Sequence, residues 1–187
     1  MFLKILSMCT CLFFASTASA TAPADESNSN KDVAQYESNA PEIARHLMRK
    51  APRCEIVKND DYRAELSRDI VQVASEYQIP HELFVVVLYR ESSLGANKKD
   101  GKKGEKGIGQ VKDPKHWGCD MSTRIGQLRC SAKVFRFGYD KCGTWSGALS
   151  AYQSRGAKCR PIKGSYHAHQ VKSRINQWVR IRRRFPV

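Results

Sequence analysis

The chain has 187 residues, with 32 Lys and Arg against 18 Asp and Glu, for a formal net charge of +14. That length suffices for one compact domain with its own core, and the positive balance points to anionic partners. No apolar run in the body of the sequence is long enough to cross a bilayer, since the longest, Leu83 to Tyr89, falls far short of about 20 residues.

The N-terminus opens with Lys4, a mostly apolar stretch from Ile5 to Phe14, and the small-x-small triplet Ala18-Ser19-Ala20. This is the pattern of a signal peptide over residues 1–20, cleaved after Ala20. A short membrane anchor is the competing reading, but the stretch is too short and carries Ser and Thr. Export follows, to the periplasm or the extracellular space. Residues 21–52 read as a polar leader. Thr21 to Asn39 is rich in Ser, Asn, Ala and acids and is expected to be disordered. Ala40 to Lys50 is a candidate helix that Pro52 would end. The remaining segment, 53–187, is expected to form the domain.

In that domain Asp60 or Asp61 can cap a helix running to about Tyr77, with Leu66, Ile70, Val73, Ala74 and Tyr77 at helical spacing. Ile79-Pro80 breaks it, and Pro80 suits the first turn of the next helix. That helix carries Leu83 to Ser92. Phe84, Val87, Leu88 and Glu91 share one face of it, so Glu91 continues an apolar stripe. Gly95 offers a stop signal. A carboxyl group leaving the core at a helix C-terminus is disfavoured as an anion by desolvation and by the helix dipole. A carboxylic acid that keeps its proton is what a general acid requires.

A Lys/Gly loop follows from Lys98 to Gly107, and any short β element falls near residues 107–111. Asp113-Pro114 signals a turn. Ser122 or Thr123 can cap a helix through about Phe137. Gly143 and Thr144 open another from Trp145 to about Gln153. A basic last helix spans Ser165 to Phe185, with Val171, Ile175, Trp178, Val179 and Arg182 at roughly helical intervals. The fold class is therefore mainly α. No Asp or Glu follows Asp140, whereas eleven Lys or Arg do, which gives the last helix an affinity for anionic polymers or lipids. Base-stacking aromatics are not interleaved with these arginines, so specific nucleic-acid binding is not expected.

Beyond the cleavage site the chain keeps Cys54, Cys119, Cys130, Cys142 and Cys159. In an exported protein these read as disulfides. Proximity favours Cys119–Cys130 and Cys142–Cys159, with Cys54 left over, although Cys54 could capture any of the others. A zinc site would need closer pairs: there is no CxxC, and His116-Trp117-Gly118-Cys119 alone is a poor match to ligand spacings. His167 and His169 read as solvated residues of a basic helix. No metal and no cofactor are expected.

Three patches lie in order along the chain: Glu91-Ser92 behind Ile79-Pro80-x-x-Leu83; Gly107-Ile108-Gly109-Gln110-Val111 with Pro114 soon after; and Ala148-Leu149-Ser150-Ala151-Tyr152-Gln153 followed by Gly156. Together they resemble the soluble lytic transglycosylase family and its goose-type lysozyme relatives, over about Asp61 to Phe185. The resemblance implies a lysozyme-like, mainly helical fold and cleavage of the β-1,4 bond between N-acetylmuramic acid and N-acetylglucosamine. It matches Glu91 to the catalytic acid, Ser92 to a serine that holds acid or substrate, Gln110 to a substrate-contacting glutamine, and Tyr152 to the tyrosine beside the catalytic site. The expected partner is the glycan strand of peptidoglycan, met by a monomer. Three positions depart from the family pattern. Gly109 stands where a side chain is usual and is expected to widen the turn. Lys112 stands where many members have Met, and Gln153 replaces Asn.

Most glycosidases use a second carboxylate. None stands out beside these motifs, although Asp100, Glu105 and Asp113 are within a flexible basic stretch. The resemblance implies a route without one, in which the substrate's acetamido group stabilises the cation and Glu91 turns from acid to base. A hydrolytic muramidase and a non-catalytic glycan-binding module on the same fold are the alternatives. A secreted cationic protein acting through its last helix is a further one. Trp117 and Trp145 could stack on sugar rings or pack in the core.

Overall fold

The computed structural model describes residues 42–43, 59–95, 101, 104–154 and 158–185. The expected signal peptide, nearly all of the expected leader, Cys54, half of the Lys/Gly loop including Asp100, and Gly156 lie outside the described residues. Glu42 and Ile43 are helical, and Ile43 is buried in the core, so the packed unit includes a residue upstream of position 53.

The protein is mainly α. From residue 59 onward the described residues form five helices, in the order α1 (Asp60–Glu76), α2 (His81–Ser92), α3 (Arg124–Cys142), α4 (Trp145–Gln153) and α5 (Tyr166–Arg184). Between α2 and α3 lies an antiparallel pair of short strands, β1 (Glu105–Lys106) and β2 (Val111–Lys112), in the register Glu105 to Lys112 and Lys106 to Val111. The β element thus flanks the Gly107–Gln110 turn instead of occupying it.

Helix ends follow local chemistry. Asn59, not Asp60 or Asp61, caps α1, its side chain accepting from the amides of Asp61 and Tyr62. The two aspartates fall in the first turn, where the helix dipole favours them. Pro80 takes the cap position of α2 without a side-chain bond. Thr123, Thr144 and Ser165 cap α3, α4 and α5 through their hydroxyl groups. Helix α3 runs five residues past Phe137, because the left-handed residue that stops it is Gly143 at φ 70°.

Helix α2 is the centre of the core. Residues 82–88 are all buried, so the apolar surface goes around the whole helix and is wider than the single stripe expected. Burial of side chains such as Leu83, Phe84 and Leu88 stabilises the fold by about 1.5–3 kcal/mol each. Helices α1 and α5 pack against α2, while α3 and α4 form a close antiparallel hairpin that also meets α1 and α5. Gly138 allows that closeness: a Cβ there would stand 3.2 Å from the carbonyl oxygen of Ala148. On the seam between α1 and α3, Arg124 reaches Asp69 at 2.6 Å and Glu65 at 3.1 Å, and Arg129 makes a two-pronged pair with Glu76 at 2.8 and 2.9 Å.

Cys119–Cys130 and Cys142–Cys159 are disulfide-bonded. The first ties the segment after β2 to α3, and the second ties the end of α3 to the segment before α5. Among the described residues no helix is long and apolar enough to cross a membrane. The buried face of α5 runs through Val171, Arg174 and Ile181, with Ile175 and Trp178 packed beside it. Val179 and Arg182 face solvent, which corrects the expected stripe by a rotation of the helix.

Candidate functional site

A cleft of about 750 Å³ opens where the end of α2, the β1–β2 hairpin, α4 and the first half of α5 converge. Its walls include Glu91, Gln110 and Tyr152, so three segments far apart in sequence meet at one surface. The volume lies within the roughly 300–1,000 Å³ of small-ligand sites.

Glu91 occupies the last turn of α2. The helix stops at Ser92 because Ser93 adopts the left-handed conformation (φ 55°, ψ 44°), and Leu94 and Gly95 continue with positive φ. Two successive non-glycine residues in that region cost about 1–3 kcal/mol each. Leu94 is fully buried, which offsets part of that cost. The stop thus arises two residues before the Gly95 signal.

Ser92 fixes this turn. Its hydroxyl donates to the carbonyl oxygen of Ile108 at 2.6 Å and accepts from the amide of Gly95 at 2.8 Å. Ser92 is buried and does not line the cleft. It ties the end of α2 to the hairpin turn, which places Glu91 and Gln110 in a fixed relation. Ile108, fully buried, anchors the turn, and its amide donates to Gln127 Oε1 at 3.3 Å.

Gln110 has φ 50°, and its Nε2 donates to the Gly107 carbonyl oxygen at 2.9 Å. The side chain is thereby held against its own turn at the cleft wall. Tyr152 Oη donates to the Gly109 carbonyl oxygen at 2.7 Å. The ring contributes to the cleft while the hydroxyl is enclosed. That burial pushes the Tyr152 phenol well above the usual tyrosine range, and the nearby charge of Glu91 pushes the same way. Tyr152 therefore works here as a neutral hydrogen-bond donor.

Gly109 does not widen the turn. A Cβ at this position would lie 2.0 Å from Ser131 Oγ, 2.6 Å from Ser131 Cβ and 2.8 Å from Tyr152 Oη. The missing side chain is what lets α3 and Tyr152 close on the turn.

Glu91 has a partner that no local sequence pattern around it reveals. Arg174 Nη1 donates to Glu91 Oε1 at 2.6 Å. The expectation of a carboxyl group set against an apolar face alone is corrected: a buried guanidinium from α5 stands opposite it. Three further α5 residues, Tyr166, His167 and Gln170, line the cleft, as does Arg90 beside Glu91. The signal that could have found Arg174 is its position, because it falls on the apolar 171–178–181 face of α5, where a charge is out of place. His167 Nε2 lies 3.2 Å from Ser150 Oγ.

The two tryptophans part company. Trp145 stacks on Tyr139 at 4.0 Å and on Phe135 at 5.7 Å, partly buried against the core. Trp117 lines the cleft and meets Phe137 edge-on at 5.2 Å. Lys112 also lines the cleft, with Glu105 and Asp113 on the same wall. Among the described residues no cluster of His, Cys, Asp or Glu has the arrangement of a metal site.

No family model matches the chain, and no curated protein or solved structure matches it significantly.

Proposed function

We propose that this is an exported lytic transglycosylase of peptidoglycan, with a lysozyme-like fold, that cleaves the β-1,4 bond between N-acetylmuramic acid and N-acetylglucosamine. The observation that carries the reading is the convergence of Glu91, Gln110 and Tyr152 on one cleft from three separate segments. Trp117 and Tyr166, the latter 80% exposed, offer aromatic surfaces at that cleft on which sugar rings can lie. The two disulfides suit an oxidising compartment such as the periplasm or the extracellular space.

In this reading protonated Glu91 donates to the bridging oxygen as the bond from C1 breaks through an oxocarbenium-like transition state. The acetamido carbonyl of the muramic acid shares the positive charge. Glu91, now a carboxylate, takes the proton of the C6 hydroxyl, and that oxygen closes on C1. The products are a free sugar hydroxyl and a 1,6-anhydro end, with no water consumed. Gln110 holds substrate at the turn, and Tyr152 keeps the turn and the acid in register. Arg180, Arg182, Arg183 and Arg184, exposed on the last turns of α5, supply a salt-sensitive attraction to anionic polymers or lipids.

A hydrolytic muramidase is the second reading, favoured by the presence of Glu105 and Asp113 on the wall of the same cleft. Mass spectrometry of the products from purified sacculi separates the two. Anhydro ends are expected; products heavier by one water would establish hydrolysis instead. Glu91→Gln is expected to stop release altogether; it should also melt lower, because Arg174 loses its ionic partner, so release is compared at a temperature where both proteins are folded by circular dichroism. Full release by that variant would remove Glu91 from the chemistry.

A further inference from the structure

We infer that Arg174 is a positioning residue for Glu91, held in place by Gln153 and His167, which fixes one carboxylate oxygen and leaves the other to act in the cleft. The inference rests on the catalytic reading of Glu91 and deepens it.

The geometry has three parts. First, Arg174 is 6% exposed, and its Nη1 bonds Glu91 Oε1 at 2.6 Å. Glu91 Oε2 has no hydrogen-bond partner among the described residues, and Glu91 lines the cleft. The bond to Oε1 restricts rotation of the carboxylate and takes up one of that oxygen's lone pairs, which favours Oε2 as the oxygen that carries the proton.

Second, the guanidinium is itself gripped. With the amide of Gln153 oriented to suit its neighbours, its oxygen accepts from Arg174 Nε at 2.8 Å and Nη2 at 2.9 Å. Its nitrogen donates to His167 Nδ1 at 3.2 Å, and His167 Nε2 meets Ser150 Oγ at 3.2 Å. A relay of side chains from α4 and α5 thus ends on the acid. This arrangement gives Gln153, a departure from the Asn of the resembled family, a definite task. A shorter Asn side chain would not span the same gap with the backbone unmoved.

Third, the charge has the right sign at the right time. Glu91 becomes an anion as it gives up its proton, and a guanidinium already in contact stabilises that anion without reorganising. The other charges on the cleft wall are mixed in sign. Arg90 and Lys112 oppose Glu105 and Asp113, with His116 and His167 beside them. Arg174 is the cation in contact with the acid.

Arg174→Met is expected to lower kcat about 100-fold and to change KM less than about 3-fold. Arg174→Lys keeps a charge but not the planar fork, so kcat should recover only in part. Unchanged kcat in Arg174→Met, with only a lower melting temperature, would reduce Arg174 to a structural residue and overturn the inference. So would an equal loss of kcat in both variants.

A reading independent of turnover comes from a double-mutant cycle of Arg174→Met and Glu91→Gln, followed by urea denaturation of the full chain without substrate. The loss in the double variant should fall well short of the sum of the two single losses. If the parent cleaves no glycan, the catalytic reading fails, while this coupling still tests the pairing, and strictly additive losses would refute it. Should Arg174→Met fail to fold, Gln153→Met takes its place. It should cut kcat about tenfold with the charge intact, and parental kcat would count against the relay.

Discussion

Gly109→Ala tests the closing of the site most directly. Gly109 carries no positive-φ strain, so an added methyl group acts by volume alone. It would stand 2.0 Å from Ser131 Oγ, 2.6 Å from Ser131 Cβ and 2.8 Å from Tyr152 Oη, whereas ordinary contact begins near 3.4 Å. Ser131 is buried on α3, and its hydroxyl is bonded to the Gln127 carbonyl oxygen at 2.8 Å, so it cannot simply rotate clear of its Cβ clash. The turn must therefore back away from α3 and Tyr152 by roughly 1 Å. Overpacking of this kind costs about 1–3 kcal/mol. Losing the Tyr152 bond to the Gly109 carbonyl adds about 1 kcal/mol, for a total of about 2–4 kcal/mol. Gln110 is the next residue, and a displacement of about 1 Å at a positioning residue can lower turnover about 100-fold. Urea denaturation would read the first effect and muropeptide release the second. Adding Ser131→Gly removes two of the three clashing atoms and should restore much of both, less about 1 kcal/mol for glycine within a helix. If Gly109→Ala denatures within 0.5 kcal/mol of the parent and keeps full activity, the close approach is not what the glycine serves.

Tyr152→Phe should make the protein relatively more tolerant of alkali. The phenol's folded-state pKa is raised, so its neutral form is favoured in the folded protein. The resulting stability is complete below the unfolded value near pH 10 and is lost as pH rises beyond it, by about 1.4 kcal/mol per pH unit. Urea midpoints of parent and variant should therefore converge between pH 10 and 11.5, and a constant gap across that range would contradict the argument. Cys119→Ala with Cys130→Ala opens an 11-residue loop, with a stability loss of about 3 kcal/mol. Because the freed segment bears His116 and Trp117, glycan affinity should weaken more than in Cys142→Ala with Cys159→Ala, and equal affinities would exclude a role for that wall in binding.

The helices were legible because their signals are local. Thr123, Thr144 and Ser165 are good caps wherever they precede an apolar-periodic run, and the structure uses all three. Glu91 was legible for the same reason, as the polar end of an unusually apolar helix. The limit of α3 is less legible: Phe137 is the last apolar position of its run, while the terminating residue, Gly143, lies a turn and a half on. The face of α5 is ambiguous in sequence because Arg182 and Val179 fit a helical spacing nearly as well as Arg174 and Ile181. A one-residue rotation is invisible until a partner helix is packed against it.

The sequence by itself determined a mainly helical domain and an acidic residue at the end of a buried helix, and it favoured two disulfides between near neighbours while leaving Cys54 as a competitor. Those depend on propensity, patterning and short loops, which act within a few turns of chain. Tertiary structure decided what that residue faces. Arg174 lies 83 residues from Glu91, and in sequence it is one of many cations in a basic tail. Only the packing of α5 on α2 takes this one arginine out of water, and burial makes a paired charge the arrangement of lower energy. Gly109 shows the same division. Its absence of a side chain is plain in the sequence, but whether that space stays open or is filled depends on α3 and α4, which arrive from elsewhere in the chain.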